Sequence, residues 1–142
     1  SAASDVYKRQ VGFISDLPTE LVVAFRATLE EVLAADLVIH VRDIAHENTD
    51  DQDYEVKKVL QNLGVSNNTP ILEIWNKVDL LEPEKRKSLK NIANRRKNIC
   101  AISSITNDGI ATLIRDIKGK IEPEKFFDTL IYIMVKFHIS IL

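Results

Sequence analysis

Glycine is scarce, with four in 142 residues where average usage of about 7% would give roughly ten. Gly12, Gly64, Gly109 and Gly119 stand too far apart for G-x-x-x-x-G-K-[ST] or G-x-G-x-x-G to be written from them, which excludes an intact glycine-rich phosphate cradle. A single cysteine, Cys100, excludes an internal disulfide and fits a reducing compartment. It lies in an apolar stretch with no histidine at ligand or catalytic spacing, as a buried structural thiol does. No sign of charge dominates: 19 basic residues against 21 acidic leave a net charge of −2 and no general pull toward nucleic acid or anionic lipid. Long hydrophobic runs are missing too. The most apolar tract, Thr129 to Leu142, falls short of the roughly 20 residues a membrane helix needs and contains Lys136 and His138. No segment reads as a signal peptide, so no membrane partner is expected.

What is present is a 45% hydrophobic chain, large enough for one core and too short for two ordinary domains. Residues 1–10 show no helical or strand period and are expected to be poorly ordered. After Val11, Gly12, Phe13 and Ile14, the apolar positions Leu21, Phe25, Leu29 and Leu33 recur every four residues behind Pro18, which predicts an amphipathic helix ending near Ala35. Leu37 to Val41 reads as a strand covered on both faces. Asn48, Asp50 and Asp51 then signal the start of a second helix, striped by Val56, Val59, Leu60 and Leu63 and closed by Gly64 in the left-handed conformation. Pro70 to Trp75 is a second strand, Pro83 opens a lysine-rich helix enclosing Leu89, Ile92 and Ala93, and Ile99 to Ile102 is a third strand. Gly109 precedes a last helix striped by Ile110, Leu113, Ile114, Ile117 and Ile121. Strands alternating with helices imply βαβ units, a parallel sheet and right-handed crossovers, hence an α/β fold.

In such sheets ligands bind outside the carboxyl ends of the strands. Three groups stand there: Arg42 and Asp43, Asn76 to Asp79, and Ser103 to Ile105. The second spells N-K-x-D directly after a buried strand, and the third follows the next strand one βαβ unit later. Their chemistry suits a guanine base. The Asp79 carboxylate can accept from both the ring N–H and the exocyclic amine, a paired charge-assisted contact that adenine cannot return. Asn76 would support the loop and reach the far edge of the base, the aliphatic stem of Lys77 would lie on the ring face, and backbone N–H groups around Ser104 would donate to the guanine oxygen.

These residues resemble the fourth and fifth motifs of P-loop GTP-binding domains. The stretch V-G-F-I-x-x-L-P from Val11, followed by A-F-R-x-T-L-E-E from Ala24, is similar to the switch II region of the HflX family of ribosome-associated GTPases, and the similarity runs through His40, Val41, Asp43 and the N-K-x-D to about Ile121. The resemblance implies a partial P-loop GTPase domain of the Rossmann-like three-layer type, with three adjacent parallel strands and flanking helices. It further implies GTP or GDP as ligand, a cytoplasmic location, the large ribosomal subunit as partner, Mg²⁺ in the intact parent, and Gly12 as the switch II residue that meets the phosphate.

The family's third motif is D-T-V-G-F, but Arg9 and Gln10 precede Val11, so no magnesium-holding aspartate is in place. Ser104 stands where the fifth motif usually has alanine. Residues 1–10 resemble translated sequencing-adapter strings and are expected to be non-native or disordered. Residues 11–122 then form the part of the G domain from switch II to the fifth motif, and residues 123–142 the start of a C-terminal extension. With the phosphate loop expected upstream, no catalytic residue is assigned and this chain is expected to recognise guanine without hydrolysing GTP.

Two other readings compete. The basic run Lys85, Arg86, Lys87, Lys90, Arg95, Arg96 and Lys97 is the solvated face of a helix or, in a nucleotide-free module, a ribosomal RNA surface with salt-dependent affinity. A flavodoxin-like domain is the other, and it lacks the phosphate-binding first loop that fold requires.

Overall fold

A computed structural model describes Val23 and residues 30–62, 64, 65 and 69–126. The chain divides into two compact units, residues 1–36 with 48–69 and residues 37–47 with 70–142. The switch-like segment with Gly12, most of the first helix and the tail 127–142 lie outside the described residues.

In the first unit, residues 30–33 are helical and the amides of Ala34 and Ala35 bond back to the carbonyls of Glu30 and Val32, so the helix ends near the expected place. Leu33, expected on its buried stripe, is exposed. Helix α1 spans Thr49–Asn62, with Asp50 and Asp51 in its first turn, where they complement the helix dipole. Its C-terminus closes as predicted: Gly64 has φ +76°, its N–H bonds Gln61 O, and Val65 N–H bonds Leu60 O. Those two bonds are the 5→2 and 6→1 pair of a Schellman motif.

The second unit holds the sheet. Strands β1 (Val38–Asp43), β2 (Ile71–Asn76) and β3 (Ile99–Ala101) are all parallel, in the order β1-β2-β3. Helix α2 (Pro83–Arg95) runs between β2 and β3, and helix α3 (Ile110–Lys118) follows β3. Pro83 occupies the first turn of α2, where its missing N–H costs no hydrogen bond. Alternation along the strands sends side chains to two cores. Leu72, Ile74, Cys100 and Ile102 pack with Ile110, Leu113 and Ile117 of α3, while Trp75, Val78 and Leu81 pack with Ala93 of α2. The helices therefore cover opposite faces, and the α/β class with a parallel three-stranded sheet is what the sequence pattern predicted.

Strand ends shift by a residue or two from expectation. β1 runs on to Asp43 because Ile44 N–H still reaches Asn76 O at 3.0 Å. It is half-buried along most of its length rather than covered on both faces. Arg42 consequently lies inside the strand, where it is taken up structurally: Nη1 meets Glu73 Oε1 at 2.6 Å, and the guanidinium sits 5.9 Å from the centre of the Trp75 ring, whose Nε1 donates to the same carboxylate oxygen at 2.7 Å.

Cys100 is 4% exposed. Burial, and after it the Asp116 carboxylate, pushes its thiol from the ordinary 9.0 up to about 12. Only the thiolate is nucleophilic, so iodoacetamide at pH 8 is expected to alkylate the native chain at least about 100-fold more slowly than the urea-unfolded chain; equal rates would place the thiol outside the core. The unfolded state releases this proton first, so the thiol's contribution to stability is complete below pH 9 and is lost as the pH rises toward 12.

Candidate functional site

Two consecutive turns at the carboxyl end of the sheet bring the predicted residues together. The first begins where β2 stops. Asn76 is buried, and its Oδ1 accepts from the N–H of Lys77 at 2.8 Å and from the N–H of Ser104 at 3.1 Å, while Nδ2 lies 3.4 Å from Ser104 Oγ. One side-chain amide thus joins the loop after β2 to the loop after β3. Lys77 adopts the left-handed conformation, φ 71° and ψ 33°, which costs a residue with a Cβ on the order of 1–2 kcal/mol. That turn reverses the chain into a 3₁₀ segment, Val78–Leu80, anchored by the fully buried Val78, whose N–H bonds Ile102 O at 3.2 Å.

The Lys77 ammonium pairs with Asp43 Oδ2 at 2.7 Å, and Asp43 Oδ1 accepts from Ala45 N–H. Lys77 is half exposed, so the pair adds little stability, but it fixes where the lysine stem lies. The strand-end residue Asp43 therefore belongs to the site, whereas Arg42 does not.

Asp79 is half-buried. Its Oδ1 accepts from the Ser103 hydroxyl at 2.7 Å, and its Oδ2 has no hydrogen-bond partner among the described residues. Ser103 is fully buried, and its Oγ also accepts from the N–H groups of Ile105 at 3.2 Å and Thr106 at 3.0 Å. Its own N–H bonds Asp108 O at 2.9 Å. The carboxylate is thus held in one orientation with an oxygen and several lone pairs left to accept hydrogen bonds, an arrangement that can pair with a ligand edge presenting two donors. Ile105 is exposed.

One expectation meets a different arrangement. The N–H of Ser104 is taken by Asn76, and those of Ile105 and Thr106 by Ser103. A carbonyl oxygen approaching this loop must share one of these donors or displace its partner.

The basic run is not a uniformly solvated face. Lys85, Lys87, Arg95, Arg96 and Lys97 are exposed, but Arg86 turns back onto the first loop and donates to the carbonyls of Val78, Asp79 and Leu81 at 2.9, 3.0 and 2.9 Å. Lys90 pairs with Asp108 at 2.5 Å. Helical periodicity alone did not mark either residue. Arg86 lies in the first turn behind Pro83, where the helix dipole disfavours a cation, but Lys85 shares that turn, so position in the helix does not separate the two.

No family model matches the chain. Over 120 residues, 82% of its length, it is 36% identical to GTP-binding protein 6 of Xenopus laevis. It is 50% identical over 72 residues to the GTPase HflX of Caldanaerobacter subterraneus and 39% identical over 108 residues to that of Magnetococcus marinus, matches that take in 51% and 76% of the chain. The chain spans about a fifth of the length of these relatives, 20%, 17% and 24% respectively.

Proposed function

We propose, from the premise that this chain belongs to the HflX family of GTP-binding proteins, that it carries that family's guanine-recognising part. Asp79 reads the ring N–H and exocyclic amine together, Ser103 orients Asp79, Asn76 locks the two loops to each other, and the stem of Lys77, moored by Asp43, supplies the surface on which the ring lies. Ser104 and Ile105 complete the wall. The observation that carries this reading is the Ser103–Asp79 hydrogen bond, which fixes a carboxylate acceptor at the carboxyl end of a parallel sheet with its second oxygen available.

Hydrolysis of GTP is a proposal for the whole protein. Transfer of the γ-phosphoryl group to water rests on phosphate-binding groups and Mg²⁺, and Gly12, the residue of this chain assigned to that region, is outside the described residues. No reaction step is assigned to the residues described. Association with the large ribosomal subunit, and a cytoplasmic setting, are what the family resemblance implies for the intact protein. Among the described residues no helix is long and apolar enough to cross a membrane.

Titration of the 142-residue chain with fluorescent GDP and ADP tests the base-reading assignment. GDP is expected to bind at least about 100-fold more tightly than ADP, because adenine leaves Asp79 facing an edge with the wrong donors and buried polar groups unpaired. Equal affinities would overturn it. A ribosomal RNA titration at two salt concentrations examines the competing RNA module, for which the inward-turned Arg86 and Lys90 leave fewer free cations.

A further inference from the structure

Helix α2 touches both base-reading loops through two cations one turn apart. Arg86 holds three carbonyls of the first loop, those of Val78, Asp79 and Leu81, within 2.9 to 3.0 Å of one guanidinium. Lys90, four residues further and so on the same helix face, reaches Asp108 Oδ2 at the far end of the second loop. Asp108 in turn accepts from Ser103 N–H through its backbone carbonyl. Each cation thus acts one residue or one bond away from the Asp79–Ser103 pair.

A guanidinium suits the first position. Its planar fork offers five fixed donors and stays charged at every working pH, so one side chain can satisfy a curved row of carbonyls that no single ammonium can match. The 3₁₀ turn is held on one side by Val78 N–H on Ile102 O and by the Ser103 hydroxyl on Asp79, and the guanidinium adds a third anchor, on carbonyls that have few backbone donors of their own. The placement also explains an otherwise unfavourable cation in the first turn of α2: the three carbonyl dipoles offset the helix dipole.

We infer that Arg86 and Lys90 are positioning residues of the guanine site, a brace by which helix α2 keeps the Asp79 and Ser103 loops in register for a purine carrying an exocyclic amine. The inference rests on the base-reading proposal for its functional half, and its structural half stands on the contacts alone. It separates two groups within one basic run: Arg86 and Lys90 serve the site, and the exposed Lys85 and Lys87 beside them do not.

The test uses Arg86→Met, which keeps the aliphatic stem, Arg86→Lys, which restores charge without the fork, and Lys87→Met as a control on the exposed face. Two readouts are taken on the full chain: amide hydrogen exchange, and affinity for GDP and for inosine diphosphate, which lacks the exocyclic amine. Arg86→Met is expected to lose at least about tenfold in exchange protection at residues 78–81 while β2 and β3 keep theirs, and to lose about tenfold in GDP affinity with a smaller loss for inosine diphosphate. The narrowing of that ratio marks a role in orienting Asp79, which a general loss of stability would not produce. Arg86→Lys is expected to recover part of both effects and Lys87→Met to change neither. Should the wild-type chain bind neither nucleotide, the base-reading proposal fails, and exchange alone then judges the brace. Protection lost evenly across the sheet, no loss at residues 78–81, or an unchanged nucleotide ratio in a chain that does bind would overturn it.

Discussion

Asp79→Asn is expected to lower GDP affinity by about 100-fold or more and to bring xanthosine diphosphate up to or above GDP. Asparagine keeps one carbonyl oxygen, which can still accept from the Ser103 hydroxyl at the position Oδ1 now holds, 2.7 Å away. Its other atom becomes an amide N–H₂, a donor placed where guanine also presents donors. Two donors facing each other leave both unpaired in a desolvated contact, the situation in which polar recognition discriminates most steeply. Xanthine replaces the exocyclic amine with a carbonyl, so the same amide finds an acceptor. The thermal midpoint is expected to stay within a few degrees of wild type, because the Ser103 bond and the backbone bonds of the turn survive. Calorimetric titration with GDP, xanthosine diphosphate and ADP distinguishes the outcomes: unchanged GDP affinity would remove Asp79 from base recognition, and a large loss of thermal stability would make it a structural carboxylate.

The parts of this molecule that periodicity governs were legible in the sequence. Buried strands read as continuous apolar runs, α3 as a stripe of Ile110, Leu113 and Ile117, and the end of α1 as Gly64, since each depends on a local pattern that only one element satisfies. The position of N-K-x-D after β2 was legible for the same reason: strand and motif are contiguous. What escaped depends on contacts between segments far apart in sequence. Nothing local distinguishes Arg86 from Lys85 or Lys87; only the fold brings the carbonyls of Val78, Asp79 and Leu81 to the first of these. The left-handed Lys77 was equally hidden, because lysine rarely adopts that conformation and does so here under constraint from Asn76 Oδ1 and Asp43. The occupied amides of residues 104–106 follow from Ser103 and Asn76 acting as acceptors, which a motif read as a string of residues does not convey.

Gly109→Ala is expected to be far more damaging than the same substitution at Gly64 or Gly119. Gly109 caps α3 with φ +77°, and a Cβ there would run into the carbonyl oxygen of Ala101 and lie 3.2 Å from that carbonyl's carbon and 3.2 Å from Cγ2 of Ile102. The contact with the oxygen is far inside van der Waals separation, and its partner is strand backbone rather than a side chain that can rotate away. Either β3 or the start of α3 must move, and both belong to the core containing Cys100, Ile102 and Ile110. Gly64 supplies the comparison: its φ of +76° is nearly identical, but nothing lies within 4 Å of the place a methyl would take. Gly64→Ala should therefore lose only the left-handed penalty, on the order of 1 kcal/mol, and Gly109→Ala that penalty plus the clash, about 3 kcal/mol or more in total. With roughly 2–4 °C per kcal/mol for a chain of this size, the thermal midpoints should separate by several degrees. Because Asp108 precedes Gly109 and accepts from Ser103 N–H, the displacement should reach the loop proposed to read the base, so Gly109→Ala is expected to weaken GDP binding and Gly64→Ala to leave it unchanged. Equal midpoints for the two variants would mean that β3 yields freely, and the tight junction between β3 and α3 would then have no part in holding the site.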